Sequence, residues 1–126
     1  MPFMPFMPSI ALLSSQLVCR GQVVAPDAAA LVRLLLLAPV LEEWVVRAGL
    51  QEWLIRRTDG RARAASVALS AAAFALLHAG SGWRAVLLVL APGLVLALLY
   101  QSRRDWRLCA LAHCGMNALA LGGCVL

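Results

Sequence analysis

Two adjacent glutamates, Glu42 and Glu43, lie inside a run of residues that is otherwise apolar, and Arg47 follows the second glutamate by four positions. An ionised side chain at the centre of a bilayer costs at least roughly 2.5–3.5 kcal/mol on insertion scales, so such residues persist where they pair, face water or take part in chemistry. Glu43 and Arg47 share one helical face and can neutralise each other. Glu42 points about 100° away around the helix and has no cation near it in sequence, which suits a general base or acid.

The two histidines of the chain also lie in apolar runs, one in each of two further segments. His78 follows Phe74 by four residues and Asn117 follows His113 by four, so each pair shares one helical face. Glu42 with a histidine can activate a water molecule for attack on a carbonyl carbon. A His–Asn pair can donate hydrogen bonds to the oxyanion that forms, although an asparagine in an apolar helix also serves as a simple interhelical hydrogen bond.

Two other kinds of chemistry are compatible with the same residues. Glu42, Glu43, His78 and His113 could together hold a metal such as zinc. They could instead relay protons in a transporter. The four cysteines form no CxxC pair, so neither a zinc ribbon nor a thioredoxin-type site is indicated.

The composition places these residues in a membrane. Hydrophobic residues make up 63% of the 126 and charged residues 13%, whereas soluble domains are typically about 45–50% apolar and about 25% charged. We therefore predict an all-α, polytopic transmembrane helical bundle of four to five spans. The length leaves room for one domain over residues 1–126, with an N-terminal segment and connector at 1–27 and a helical core with the reactive residues at 28–126.

The acidic motif belongs to the longest predicted helix, which spans about residues 28–56 with Asp27 as its N-cap. Pro39 removes a backbone hydrogen bond and should kink this helix just before Glu42. Such a kink frees carbonyl groups and leaves room for water beside the carboxylates.

Turn residues divide the remaining apolar sequence into further predicted spans. Thr58, Asp59 and Gly60 end the long helix, and a Gly-Ser-Gly turn at residues 80–82 separates the next two runs. The predicted later spans are residues 62–79, 83–100 and 106–126. The first run, residues 1–18, lacks a basic start and a convincing cleavage site, which favours a retained span or an interfacial segment over a cleaved signal peptide.

The net charge of +5 resides in arginines between the apolar runs, clustered at residues 56–63 and 103–107. This arrangement is typical of cytoplasmic loops under the positive-inside rule, and no interleaved aromatic residues indicate nucleic-acid binding. Both clusters should lie on the cytoplasmic side, with the turn at 80–82 and the C-terminus outside. The exclusive use of arginine over lysine indicates a GC-rich, bacterial coding sequence.

The three motifs together resemble a known family. Glu42-Glu43-x-x-x-Arg47, Phe74-x-x-x-His78 and His113-x-x-x-Asn117 are similar to the motif set of the CPBP intramembrane proteases. That family includes type II CaaX prenyl endopeptidases and bacterial relatives once labelled bacteriocin-immunity or Abi proteins. The resemblance covers about residues 31–126. The short chain resembles most the compact JDVT-CTERM system proteases, which are paired with small proteins that carry a C-terminal sorting signal.

The resemblance implies a glutamic endopeptidase that cuts a membrane-anchored protein, either CaaX-like or carrying a sorting signal. Glu42 would be the general base and His78 would bind and orient the attacking water. His113 and Asn117 would form the oxyanion hole.

The resemblance also implies which residues stabilise the site, whether a cofactor is needed, and in which membrane the protein acts. Glu43 and Arg47 would support the site by pairing. No cofactor is expected, with a zinc-dependent version of the protease as the alternative. The partners would be the lipid bilayer and the membrane-anchored substrate, in the bacterial inner membrane, with a homo-oligomer as an option and no nucleic acid. A non-enzymatic alternative is a bacteriocin-immunity-type binder or a proton-linked carrier.

The predicted helix bounds raise one difficulty. At about 1.5 Å per residue, Glu42 and His113 lie about 16 and 20 Å below the outer face, whereas His78 lies only about 3 Å below it. A single site therefore requires either that the third helix extends beyond His78 or that the turn at residues 80–82 dips into the membrane.

Overall fold

Four helices account for most of the described chain, which runs from residue 27 to residue 125 in the computed structural model, with side chains described to residue 122. The helices are α1 at residues 28–57, α2 at Arg63–Leu76, α3 at Trp83–Arg103 and α4 at Trp106–Val125. No strand occurs among these described residues, so the all-α prediction is confirmed. The predicted first run, residues 1–18, lies outside them.

Helix α1 begins where the sequence predicted. The Asp27 carboxylate accepts a hydrogen bond from the backbone N–H of Ala30 at 2.7 Å, which caps the first turn. The helix continues without a break to residue 57, but its hydrogen-bonding register alternates. Its α-helical segments are Ala28–Val32, Ala38–Glu43 and Glu52–Arg57, and its π-helical segments are Arg33–Leu37 and Trp44–Gln51. Wide π turns of this kind are rare and often occur at functional sites.

Pro39 changes the backbone pairing of α1. The N–H of Ala38 bonds to the carbonyl of Arg33, five residues back, rather than to that of Leu34. Pro39 has no N–H to offer the next carbonyl. The carbonyl of Leu34 is therefore left without a partner from its own helix, which agrees with the prediction that Pro39 frees a backbone acceptor upstream of Glu42.

Helix α2 is short. Its 14 residues extend about 21 Å at 1.5 Å per residue, less than the roughly 30 Å hydrocarbon core of a bilayer. The helix ends at Leu76, and the N–H of His78 turns back to the carbonyl of Ala75 in a tighter 3₁₀-type bond. The expectation that this helix extends beyond His78 is therefore wrong. The chain instead passes through a short 3₁₀ turn, Ala79–Ser81, to Gly82. The φ of Gly82 is 93°, which lies outside the right-handed helical region, so the helix cannot continue through this residue.

Packing is uneven along α1. Its first half lies against α4, whereas its second half, from Trp44–Gln51 onward, lies against α2 and α3 as well. Helices α2 and α3 pack along most of their shared length. The core is a cluster of buried side chains from all four helices: Val46, Ile55, Phe74, Leu96, Tyr100 and Cys109.

The surface of the bundle is apolar. Large apolar side chains are exposed on every helix, for example Leu36, Leu69, Leu88 and Leu111. Among the described residues one helix, α3, is long and apolar enough to cross a membrane. The count of four to five spans remains a prediction.

The two arginine-rich connections lie at the same end of the bundle, as the alternation of spans predicted. Glu52, near the end of α1, pairs with Arg104 after α3 at 2.6 Å and with Arg56 at 2.7 Å. The hydroxyl of Tyr100 donates to the same carboxylate at 2.6 Å. These contacts join the loop that follows α1 to the loop that follows α3.

Gly93 of α3 provides the first prediction. A Cβ at this position would lie 2.9 Å from Cδ1 of Phe74 and 3.4 Å from the carbonyl of Ala71. We expect Gly93→Ala to lower the free energy of unfolding by about 1–3 kcal/mol through overpacking, measured by thermal unfolding in detergent. Gly115→Ala on α4 is the matched control, because a Cβ there meets nothing within 4 Å. It should be neutral or stabilise by up to about 1 kcal/mol, and equal effects of the two changes would contradict the packing argument.

Candidate active site

The candidate site is built on a buried ion pair within α1. The Nε of Arg47 donates to Oε2 of Glu43 at 2.8 Å, and both side chains are fully buried. The four-residue spacing places them on one helical face, so the pairing predicted from sequence is present. A buried charge without a partner would be costly, and this contact removes that cost for both groups.

Arg47 also holds the neighbouring helices. Its guanidinium donates to the hydroxyl of Ser70 on α2 at 3.2 Å and to the carbonyl of Gly93 on α3 at 3.1 Å. A third contact goes to the side chain of Gln51, one turn further along α1, at 3.4 Å. Gln51 in turn accepts from Ser70 at 3.0 Å and donates to the carbonyl of Ala97 at 2.8 Å. One buried polar network therefore links α1, α2 and α3.

His113 of α4 connects the two glutamates. Its Nδ1 lies 3.1 Å from Oε1 of Glu43, and its Nε2 lies 3.8 Å from Oε2 of Glu42. Because the carboxylate of Glu43 pairs with Arg47 and accepts only, Nδ1 of His113 carries the hydrogen of the first contact. The imidazole is thus held in one orientation, with Nε2 directed at Glu42.

His78 is oriented by the backbone of the last turn of α2. Its Nδ1 donates to the carbonyl of Phe74 at 3.1 Å, since a carbonyl oxygen can only accept. The Phe74 ring lies between the two histidine rings, with centroid distances of 5.4 Å to His78 and 5.2 Å to His113. In its neutral form His78 therefore presents Nε2 as a hydrogen-bond acceptor.

Asn117 lies one turn beyond His113 on α4, but its amide is already engaged. Nδ2 donates to the carbonyl of Leu34 at 2.9 Å, the same carbonyl that Pro39 leaves free. This bond joins the first half of α1 to α4.

A single cavity of about 210 Å³ receives all four predicted catalytic side chains. Glu42, His78, His113 and Asn117 line it together. The short α2 and the turn after it bring His78 to the level of the other three, which resolves the depth difficulty without a longer helix. Most of the remaining wall is apolar and comes from α1, α3 and α4, with Leu34, Ala38, Leu88, Val89, Met116 and Ala120.

The arrangement of a carboxylate, two histidines and an asparagine around one cavity agrees with the motif set of a protein family. The family profile described as type II CAAX prenyl endopeptidase Rce1-like matches residues 24–119. The chain belongs to this family. It is accordingly a CAAX-type intramembrane endopeptidase in general terms, integral to a membrane and acting on a protein substrate there. No curated protein and no solved structure matches it.

A metal would have to replace contacts that this Rce1-like chain already makes. Both oxygens of Glu43 are engaged, one by Arg47 and the other by His113. In the described part of the chain no three His, Cys, Asp or Glu side chains are placed to hold a metal ion. Of the proposed ligands Glu42, Glu43, His78 and His113, Glu43 is therefore not free to bind a metal as these side chains lie.

Two members of the buried network, Gln51 and Ser70, were not predicted. Gln51 continues the four-residue spacing of Glu43 and Arg47, so the sequence carried a signal for it. Ser70 lies four residues after Ser66 in an alanine-rich helix, and both serines are buried. The bond between His113 and Glu43 was also not predicted, because it joins residues 70 positions apart.

The ion pair provides the second prediction. We expect Arg47→Met to cost about 3–5 kcal/mol of the free energy of unfolding, because Glu43 is left buried without its cation. The double variant Glu43→Gln/Arg47→Met should lose less than the single variant, since no unpaired charge remains. Denaturant or thermal unfolding in detergent measures both. Arg61→Ala is the control, because its ion pair with Asp59 is exposed and should contribute nothing measurable.

Proposed function

We propose that the chain is a glutamic endopeptidase that hydrolyses a peptide bond of a membrane-anchored protein with a water molecule that Glu42 activates and His78 orients, while His113 and Asn117 stabilise the oxyanion. The observation that carries this proposal is the position of Glu42 Oε2 and His113 Nε2, 3.8 Å apart in one cavity with His78 and Asn117. That distance is too long for a direct hydrogen bond. A water molecule beside the gap can bond to both atoms.

The proposed mechanism gives the two atoms different roles. Glu43 and Arg47 cancel each other in the buried network. In the proposed reactive state Glu42 is ionised and His113 protonated, so their charges cancel as well and the site carries no net charge. Because Nδ1 of His113 is committed to Glu43, the second proton of the imidazolium resides on Nε2. In this state Glu42 is a base and His113 a hydrogen-bond donor at the same place.

The proposed reaction follows from these roles. Glu42 takes a proton from the water, the water oxygen bonds to the substrate carbonyl carbon, and the carbonyl oxygen becomes an oxyanion. His113 Nε2–H and the Asn117 amide stabilise this oxyanion. The C–N bond then breaks while Glu42 returns its proton to the leaving nitrogen. His78, whose Nε2 is an acceptor, orients the water before attack.

The cavity wall supports an apolar substrate segment. Side chains from α1, α3 and α4 provide a largely hydrocarbon lining around the four polar groups, as in ligand sites where a few polar atoms orient a mostly apolar guest. We propose either a CaaX-like protein or a protein with a C-terminal sorting signal, as for the JDVT-CTERM subgroup, in a bacterial inner membrane. A homo-oligomer would extend the wall of a cavity that four helices enclose only partly.

Substitution of the general base provides the third prediction. We expect Glu42→Gln to lower the rate of cleavage of a co-expressed membrane-anchored substrate by at least about 100-fold, because the amide cannot accept the proton, while thermal unfolding stays close to wild type. Glu52→Gln is the matched control, since this carboxylate pairs with Arg104 far from the cavity, and it should retain wild-type cleavage.

Full activity of the Glu42→Gln variant would contradict the proposal. If neither the wild-type protein nor any variant cleaves a substrate, but the protein binds a partner or transports protons, the binder or carrier alternative is favoured. Elemental analysis of the purified protein, together with activity in the presence of a chelator, distinguishes the zinc-dependent version: bound metal and chelator-sensitive cleavage would contradict the glutamic mechanism.

A further inference from the structure

The bond from Asn117 to the backbone of Leu34 has a consequence for the reaction. We propose that Pro39 is a positioning residue, which leaves the Leu34 carbonyl free so that this carbonyl holds the Asn117 carboxamide with its second N–H directed into the cavity. The inference rests on the proposed function, in which Asn117 donates to the oxyanion.

The first step concerns the free carbonyl. In an α-helical register the Leu34 carbonyl would accept from the N–H of Ala38, and in a π-helical register from that of residue 39. The first of these N–H groups bonds to Arg33 instead, and the second does not exist in proline. Both intrahelical routes are thus closed, one by the π segment and one by Pro39.

The second step concerns burial. Leu34 is 6% exposed, and an unpaired backbone carbonyl in such an apolar setting costs several kcal/mol. Asn117 Nδ2 is the group that satisfies it, at 2.9 Å. In the described part of the chain Asn117 has no other hydrogen-bond partner, so this one contact sets the orientation of its amide.

The third step concerns the other hydrogen. A carboxamide nitrogen carries two hydrogens in the plane of the amide, so engagement of one fixes the direction of the other. Asn117 lines the same cavity as His113, one helical turn away. The Leu34 carbonyl therefore selects the amide orientation, and the remaining N–H is the donor available to an oxyanion beside His113 Nε2.

A proline substitution separates this role from simple helix packing. Pro39→Ala and Pro39→Val each supply an N–H that competes for the Leu34 carbonyl, while they differ in side-chain volume. If the carbonyl positions Asn117, both variants should lower kcat by about 10- to 100-fold, the range expected for a catalytic group displaced by up to about 1 Å. KM should stay near wild type, and thermal stability should not fall in parallel with kcat.

Val40→Ala is the matched control, because Val40 is the next residue of α1, lies on its exposed face and does not line the cavity. It should retain wild-type kcat. The positioning role is overturned if the kcat values of the two Pro39 variants differ in proportion to side-chain volume. It is also overturned if Pro39→Ala keeps wild-type kcat.

The double variant Pro39→Ala/Asn117→Ala tests whether Pro39 acts through Asn117. We expect its kcat to equal that of Asn117→Ala alone, since the carbonyl has nothing left to orient. Multiplied losses in the double variant would show that Pro39 acts by another route and would overturn the inference.

A readout without activity separates this inference from the proposed function. The side-chain ¹⁵N–¹H resonances of Asn117 in detergent-solubilised protein should shift in Pro39→Ala and stay unchanged in Val40→Ala. Unchanged Asn117 resonances in Pro39→Ala would overturn the positioning contact even if cleavage is observed. Shifted resonances in a protein that cleaves no substrate would support the contact and contradict the proposed function instead.

Discussion

The buried pair of Glu43 and Arg47 is the interaction on which the rest of the structure depends. An arginine with no exposed surface needs a carboxylate and further acceptors, and Arg47 finds them on α1, α2 and α3. The free oxygen of Glu43 then takes His113 from α4. Each helix is thus tied to one charge centre, and the imidazole that faces Glu42 is oriented by the same pair that stabilises the bundle.

Backbone carbonyls provide much of the remaining polar support. Arg47 bonds to that of Gly93, Gln51 to that of Ala97 and Asn117 to that of Leu34. In hydrocarbon, polar side chains and free carbonyls must satisfy each other because water is excluded. Within the described residues no buried side-chain nitrogen or oxygen lacks a partner. Of these three carbonyls, that of Leu34 is left free within its own helix by a π turn and a proline.

Local patterns predicted what depends on neighbours in sequence. The cap at Asp27, the break after residue 57 and the pairing of Glu43 with Arg47 all follow from spacings of four residues or fewer. The depth argument failed at His78 because helix length was inferred from the extent of the apolar run. The sequence near Leu76 continues to be apolar, whereas the backbone already tightens toward the glycine turn.

The sequence by itself determined that the chain is helical and apolar, that three polar motifs lie in separate apolar segments, and that Glu43, unlike Glu42, has a cation four residues away. These conclusions rest on composition and on helical periodicity, which are local properties. Only the tertiary structure decided that His113 bonds to Glu43 and that Asn117 bonds to the Leu34 carbonyl. Contacts between residues so far apart depend on how α1 and α4 pack and where α1 changes register, and no spacing along the chain encodes them.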